Sequence, residues 1–303
     1  MPRASIDIGS NSLLLTIVDD DQNVLHDEAT VVGLGRGLGD RGLFKADRLE
    51  AAQETLSRYA DIVKGHGIEP RLVRAVATSA ARRAMNAETF FRSVQLKTGI
   101  RVRIIPGDEE ARLTALGAFR DLVLPQGPSL VVDLGGGSTE LVLSDDGQVV
   151  ARTSLEVGSV RLTEAYLLDG SSTWAPGVVD PAMLARLRDH VDAAIATFAI
   201  TPRPRTVIGV AGTVTTLAAT ALDLDIYDSD RVHGSLLTRA HLAKFIDLLL
   251  PASPAERRAM VPTSPARADF LLAGATILER VLLASKRQHM VVSDRGLRFG
   301  LLA

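Results

Sequence analysis

Two stretches of this 303-residue chain can be laid over one another without a gap. Ile6-Asp7-Ile8-Gly9-Ser10-Asn11-Ser12-Leu13-Leu14-Leu15 and Val132-Asp133-Leu134-Gly135-Gly136-Gly137-Ser138-Thr139-Glu140-Leu141 keep one register at an offset of 126 residues. Asp7 falls on Asp133, Gly9 on Gly135, Ser12 on Ser138 and Leu15 on Leu141. Further on, Asp19 falls on Asp145, Gln22 on Gln148 and Val24 on Val150. An ungapped internal repeat argues for two copies of one unit. The period is too long for a solenoid, so the reading is two similar domains, each with a strand–loop–strand headed by an Asp.

The second copy carries the chemistry more openly. An apolar strand ends in an Asp and three glycines, and a second apolar strand follows at once. Adjacent glycines let backbone N–H groups approach an anion closely. Ser138 and Thr139 add hydroxyl donors, while Asp133 and Glu140 bracket the loop and suit a hydrated divalent cation. A lone GGG is as well explained by a glycine-rich hairpin. Two such loops facing across a cleft would grip a chain of phosphates from both sides.

Length suits two domains. The chain is 46% hydrophobic and 23% charged, enough for sizeable cores in a soluble protein. No apolar run reaches about 18 residues, so no membrane span is expected. The N-terminus enters a strand directly, so no signal peptide is expected and the cytoplasm is the default location. With no cysteine there is no disulfide, thiolate metal site or Cys nucleophile. A net charge of −2 offers no general footprint for nucleic acid or membrane. The six His show no metal-ligand spacing.

In chain order, Ala4 to Gly9, Ser12 to Val18 and Asn23 to Val32 read as an antiparallel meander. Gly33 to Gly42, with Arg36 and Arg41, is either a mobile surface loop or a flap whose Arg touches substrate. Leu49, Ala52, Leu56, Tyr59 and Val63 recur at helical spacing, which predicts a helix over 46–64. Leu72 to Ala77 is a strand that ends in Thr78-Ser79-Ala80-Ala81-Arg82-Arg83. After a strand over 102–105, Gly107-Asp108-Glu109-Glu110-Ala111-Arg112-Leu113 opens a helix running to about Leu124. Acids in a first helical turn are ordinary dipole partners, so none of the three stands out alone. Pro125-Gln126-Gly127-Pro128 reads as the hinge.

The second half repeats the plan. Strands cover 129–142 and 148–156, and Gly158-Ser159-Val160-Arg161 opens a helix. Ser171 to Gly177 is a loop with the only Trp, and helices follow over 181–200, 239–250 and 266–285. Thr206 to Val210 is a strand running into Ala211-Gly212-Thr213, where a helix N-terminus would face an anion. Helix N-caps use the same residues, so this signal is moderate. Met290 to Val292 is a final strand, and Ser293 to Arg298 turns into a short terminal helix.

These residues resemble the exopolyphosphatase / guanosine pentaphosphate phosphohydrolase (Ppx/GppA) family, within the actin / sugar kinase / Hsp70 superfamily, over nearly the whole chain. Asp7 to Ser12 looks like the family's first phosphate loop and Asp133 to Glu140 like its second. The Gly107–Arg112 segment matches the one carrying the catalytic Glu, here Glu110. Thr78 to Arg82 matches a segment whose Arg contacts phosphate. Gly209 to Thr213 and Ser293 to Arg298 match later motifs. Phe299 stands where many members have Glu, which reads as a packing difference.

The resemblance implies an α/β fold of two actin-like ribonuclease H-type domains with an interdomain cleft. The first would be residues 1–126 plus about 289–303, the terminal strand and helix returning to it, and the second 127–288. It implies a hydrolase acting on a terminal phosphoanhydride, an exopolyphosphatase, with guanosine pentaphosphate or tetraphosphate as the alternative substrate. Phosphate binding would fall to Gly9, Ser10, Asn11, Ser12, Gly135, Gly136, Gly137, Ser138, Thr139, Gly212 and Thr213. Asp133, Glu140 and a supporting Asp7 would hold Mg²⁺ or another divalent cation. Glu110 would take a proton from the attacking water, with Arg82 and Glu140 completing the catalytic set. Family members are often homodimers. The helical C-terminal domains of longer members do not appear by Ala303, so strong processivity on long polymers is not expected. A kinase of the same superfamily would need an adenosine-binding motif, for which Gly212-Thr213 is a thin match. A chaperone or filament protein would need extra elements. A phosphate or nucleotide sensor without turnover would be expected to lose Glu110 and Glu140.

Overall fold

The apolar runs at the N-terminus become the middle of a five-stranded sheet. β1 (Arg3–Ile8), β2 (Ser12–Val18) and β3 (Val24–Val31) form the antiparallel meander. β4 (Arg74–Ala77) and β5 (Val102–Ile104) add in parallel, giving the order β3-β2-β1-β4-β5. This computed structural model describes residues 1–38, 42–145, 148–168 and 176–303. Met1–Gly117 with Leu297–Ala303 make one unit and Ala118–Gly296 the other.

Strand alternation decides what each face of the first sheet meets. Ala4, Ile6 and Ile8 of β1 and Ala75 and Ala77 of β4 join a core with α1 (Ala46–Gly65). Ala52, Leu56, Tyr59 and Val63 form the buried stripe of that helix. The Tyr59 hydroxyl donates to the Leu13 carbonyl at 2.9 Å, so the stripe is also registered on β2. Residues out of phase face the other side. Val76 packs with Ile105, Leu113, Leu297 and Leu301, and the Ser5 hydroxyl donates to the Arg298 carbonyl. Asp7 shares this face with Ser5 by the same period of two.

α2 (Ser79–Arg83) follows β4, α3 (Ala87–Thr98) leads to β5, and α4 (Gly107–Ala118) follows β5. The sequence suggests that this last helix runs to about Leu124. It stops at Ala118 because Asp121 takes a left-handed conformation, φ +60°, and Val123 is fully exposed. The chain therefore leaves the first unit after Gly117, ahead of the Pro125–Pro128 segment.

The second unit repeats the meander with β6 (Ser129–Leu134), β7 (Thr139–Asp145) and β8 (Gln148–Leu155). β9 (Thr206–Val210) runs parallel to β6, and β10 (Leu236–Thr238) and β11 (His289–Val292) complete the order β10-β11-β9-β6-β7-β8. The repeat holds to fine detail. The register shift falls between Ile17 and Val18 in one meander and between Leu143 and Ser144 in the other. Gly9 N–H bonds the Ser12 carbonyl, and Gly135 N–H bonds the Ser138 carbonyl, both at 3.0 Å.

α5 (Ser159–Leu162) runs into a π turn over Thr163–Leu167, and α6 (Pro181–Ala196) precedes β9. α7 (Gly212–Ala221), α8 (Ser229–Val232), α9 (Arg239–Leu249), α10 (Pro254–Ala259) and α11 (Leu271–Ala284) follow. α11 is apolar almost all round because it lies inside the core of this unit.

One expectation changes here. The terminal strand β11 does not return to the first unit. It hydrogen-bonds along β9 and β10, with Met290 and Val292 in the second unit's core. In the first sheet the matching edge beside β4 is taken by β5, whereas β9 offers its own. Only α12 (Leu297–Gly300) joins the first unit, where a side chain at Gly300 would collide with the Leu113 carbonyl. Phe299 is buried there, as a packing residue. Arg41 and the loop around Trp174 lie outside the described residues. Among those described, no helix is long and apolar enough to cross a membrane.

Candidate active site

In the first unit the loop Gly9–Ser12 closes the β1–β2 hairpin. Its carbonyls are turned to one side by the segment after β3. Gly35 N–H donates to the Ser10 carbonyl at 2.7 Å, and Val32 and Gly33 N–H donate to that of Asn11 at 3.0 and 2.8 Å. A Cβ on Gly35 would sit 3.1 Å from that of Ser10 and 3.2 Å from that of Ala80, so glycine permits this approach. Leu34 and Leu38 are buried. The described part of the glycine-rich segment thus packs on the loop and supports it. Asn11 Oδ1 and Ser79 Oγ are buried with no hydrogen-bond partner among the described residues, as befits groups that bind a polar ligand.

Beside this loop, Arg82 of α2 meets Glu110 in the first turn of α4. Arg82 Nη1 donates to Glu110 Oε2 at 2.6 Å and to the Ile105 carbonyl at 3.0 Å. The Glu110 side chain is 8% exposed and that of Arg82 23%. The three neighbouring acids therefore separate by environment. Glu109 pairs with Arg103 at the surface at 2.7 Å, whereas Glu110 turns inward. The remaining N–H groups of Arg82 engage no described residue, which leaves part of its fork for an oxyanion.

In the second unit Gly135–Ser138 closes the β6–β7 hairpin. Ser159 N–H donates to the Gly135 carbonyl at 3.0 Å, and Val160 and Arg161 N–H to that of Gly136, both at 2.9 Å. Arg161 Nε donates to the Gly137 carbonyl at 2.7 Å. With three carbonyls held on one side, the intervening N–H groups face the other way. The Thr139 hydroxyl donates to the Val157 carbonyl at 2.5 Å and so fastens the strand.

Asp133 and Glu140 are directly opposed on β6 and β7, and Ser154 lies opposite Glu140 on β8. All three lie on one face of the sheet. Ser154 Oγ donates to Glu140 Oε1 at 2.6 Å, and Glu140 is only 1% exposed. At cross-strand spacing, about 5 Å, two ionised carboxylates would repel by about 3 kcal/mol at an effective dielectric near 20. Directly opposed like charges destabilise a sheet unless donors or a cation offset them. In the first unit the residue opposite Asp7 is Leu14, so only the second copy has the doubled charge. The donor set is oxygen alone, which suits a hard divalent cation such as Mg²⁺. No group of three or more His, Cys, Asp or Glu suited to a metal occurs among the described residues, so the fit rests on this pair.

The β9–α7 junction is strained. Ala211 has φ +75° and ψ 170°, a region that is nearly glycine-only. The kink turns the chain so that Gly212 and Thr213 begin α7. Thr213 presses into the notch left by Gly274 of α11. Arg267 Nη1 bonds the Gly212 carbonyl and Thr216 Oγ1, each at 3.2 Å. A guanidinium beside a helix N-terminus opposes the helix dipole, and an anion there would reconcile the two.

The structure thus groups the singled-out residues by unit. Asp7, Gly9, Ser10, Asn11, Ser12, Arg82 and Glu110 belong to the first, and Asp133, Gly135–Glu140, Gly212 and Thr213 to the second. Sequence reasoning passed over Ser154, Arg161 and Arg267. The offset could have pointed to Arg161, because it occupies the place of Gly35, whose N–H supports the first loop. Nothing local marks the other two.

The sequence model of the Ppx/GppA phosphatase family matches residues 14–303. Exopolyphosphatase 2 of Mycobacterium tuberculosis is 35% identical over 292 residues, covering 92% of this chain and 89% of that protein. The crystal structure of an exopolyphosphatase-like protein superposes with a TM-score of 0.91 at 33% identity, covering 100% of this chain and 98% of the other. The Ppx/GppA family member of Aquifex aeolicus gives a TM-score of 0.80 at 32% identity, covering 100% and 96%. With two sheets of matching topology and a family match from residue 14 to the last residue, the chain belongs to the Ppx/GppA phosphatase family.

Proposed function

We propose that this protein is an exopolyphosphatase that removes the terminal orthophosphate of inorganic polyphosphate by attack of water. The observation that carries the mechanism is the buried Arg82–Glu110 contact at 2.6 Å. It holds the carboxylate aimed in a sheltered place within reach of a bound water, the geometry a general base needs. Glu110 accepts a proton from water as the water oxygen bonds the terminal phosphorus. The bridging P–O bond breaks, and the shortened chain leaves with its electrons on oxygen. Arg82, with donors to spare, stabilises charge on the transferring group. The loop N–H groups of both units bind phosphate oxygens, with Ser10, Asn11, Ser12, Ser138, Gly212 and Thr213, and Arg267 adds a cation at the α7 terminus.

Asp133 and Glu140, with Asp7 in support, are the residues we assign to Mg²⁺. When bound, the ion supplies Lewis-acid neutralisation of phosphate oxygens. Ser154 orients Glu140 for that purpose. The relatives' names support polyphosphate as the substrate, and a relative named guanosine-5'-triphosphate,3'-diphosphate pyrophosphatase, 33% identical over 172 residues, supports guanosine pentaphosphate as its competitor.

The test is orthophosphate release from tripolyphosphate, a mid-length polymer and guanosine pentaphosphate, with and without an acceptor sugar. Release from the polymers without acceptor is the expected result. Release only with the sugar, as a phosphorylated sugar, would make the protein a kinase. No turnover of any substrate, with tight binding, would make it a sensor.

A further inference from the structure

We propose that Arg161 is a positioning residue: it sets the orientation of the Gly137–Ser138 peptide and thereby aims the Ser138 N–H at phosphate. This rests on the proposed role of the second loop. In a trans peptide the carbonyl and the following N–H point in opposite directions. Holding the Gly137 carbonyl on one side therefore holds the Ser138 N–H on the other. Arg161 Nε makes that hold at 2.7 Å.

Comparison of the two copies shows why an arginine is used. Under the 126-residue offset, Gly35 corresponds to Arg161, and Ser10 to Gly136. The bond Gly35 N–H to Ser10 carbonyl reappears as Arg161 N–H to Gly136 carbonyl. The next carbonyl is treated differently. That of Asn11 is held by the backbone N–H groups of Val32 and Gly33. That of Gly137, its counterpart, is held by the side chain of Arg161. The second loop is also the one made of three glycines, where a peptide can flip at little steric cost. Glu156, largely exposed, lies in ion-pair contact with Arg161 Nη2 at the far end of the guanidinium. Gly158 closes the arrangement: a Cβ there would come within 2.5 Å of the Gly136 carbonyl oxygen, so this segment and the loop are in backbone contact.

The experiment uses the whole chain, with tripolyphosphate as the probe. Arg161→Met keeps the aliphatic stem and removes the donor. It should bind tripolyphosphate about tenfold more weakly by calorimetry and raise KM by a like factor, with kcat within about threefold of wild type. A merely structural role would lower the active fraction, and with it the apparent kcat, at unchanged KM. Glu156→Gln alters an exposed group and should raise KM about threefold, which keeps the test open should Arg161→Met fail to fold. The Ser138 amide resonance of the ligand-free protein separates this inference from the assigned activity. In Arg161→Met, or in Glu156→Gln should that variant stand in, it should shift and broaden as the peptide samples both orientations. A resonance that shifts in the variant, with a wild-type protein that hydrolyses no polyphosphate, would overturn the activity and leave the positioning role. An unmoved resonance with wild-type KM and affinity in both variants would overturn the positioning role.

Discussion

Replacing Glu110 with Gln removes one charge and leaves the shape. The structure gives two separate magnitudes. Glu110 is held by Arg82 at 2.6 Å in a site where its own side chain is 8% exposed. Breaking a fully buried pair costs about 3–5 kcal/mol. Arg82 here is 23% exposed and keeps the Ile105 carbonyl, and the Gln amide oxygen still accepts. The expected loss is therefore on the order of 1–2 kcal/mol, a hydrogen bond to a charged acceptor traded for one to a neutral acceptor. For a chain of this size that lowers Tm by roughly 2–8 °C. Turnover should fall much further, by about 10²–10⁴-fold, since an amide cannot take the proton from water. Saturating tripolyphosphate, orthophosphate release and a thermal melt on the same sample measure both. A folded Glu110→Gln protein with wild-type kcat would refute the general-base role and return Glu110 to a dipole partner of α4.

Ala211→Gly should raise stability by about 1 kcal/mol, because relief of the φ +75° conformation outweighs the added chain entropy of glycine; an unchanged or lower Tm would contradict this. Exhaustive chelation should abolish phosphate release and added Mg²⁺ restore it, whereas full activity in a protein shown metal-free by elemental analysis would count against the Asp133–Glu140 assignment. The His233 pKa is held below its ordinary 6.5, by burial first and then by the Arg295 charge, against the opposing pull of Asp294 and Asp121. The native state thus prefers neutral His233, and its contribution is complete above about pH 6.5 and is lost as pH falls through the lower folded value. NMR titration of the His233 ring should give a midpoint below that of a histidine in the unfolded chain, and a midpoint at or above it would reverse the sign. Short and medium polyphosphates should show higher kcat/KM than guanosine pentaphosphate if the loops bind phosphate through backbone N–H groups as proposed, since neither loop carries an aromatic residue that could stack on a base.

Much of the architecture is legible because it is written twice. The offset linking Asp7 to Asp133 predicts two meanders, and the paired shifts at Ile17/Val18 and Leu143/Ser144 show the same strand geometry built from different side chains. The helical stripe Ala52, Leu56, Tyr59 and Val63 is equally plain, since one apolar face meets one sheet face. Allocation of the chain's end was not legible. β11 is an apolar run that either sheet could accept, and the choice depends on which strand has an open edge. The end of α4 depends on one left-handed Asp121, a residue that helices also tolerate. At the candidate site, the Asp and Gly positions declare themselves, but their supports do not. Ser154, Arg161 and Arg267 act through contacts 14, 24 and 55 residues away in sequence, distances at which no local pattern survives.

Hydrolysis of phosphoanhydride bonds from the end of an inorganic polyphosphate is the activity on which every assigned residue role depends. The most direct measurement incubates the purified protein and Mg²⁺ with an end-labelled mid-length polymer, without any acceptor, and follows orthophosphate and polymer length together. Orthophosphate should be the sole small product, with a ladder that shortens one unit at a time. Internal fragments without orthophosphate, or an intact polymer under conditions where the protein is folded and metal is present, would contradict that activity.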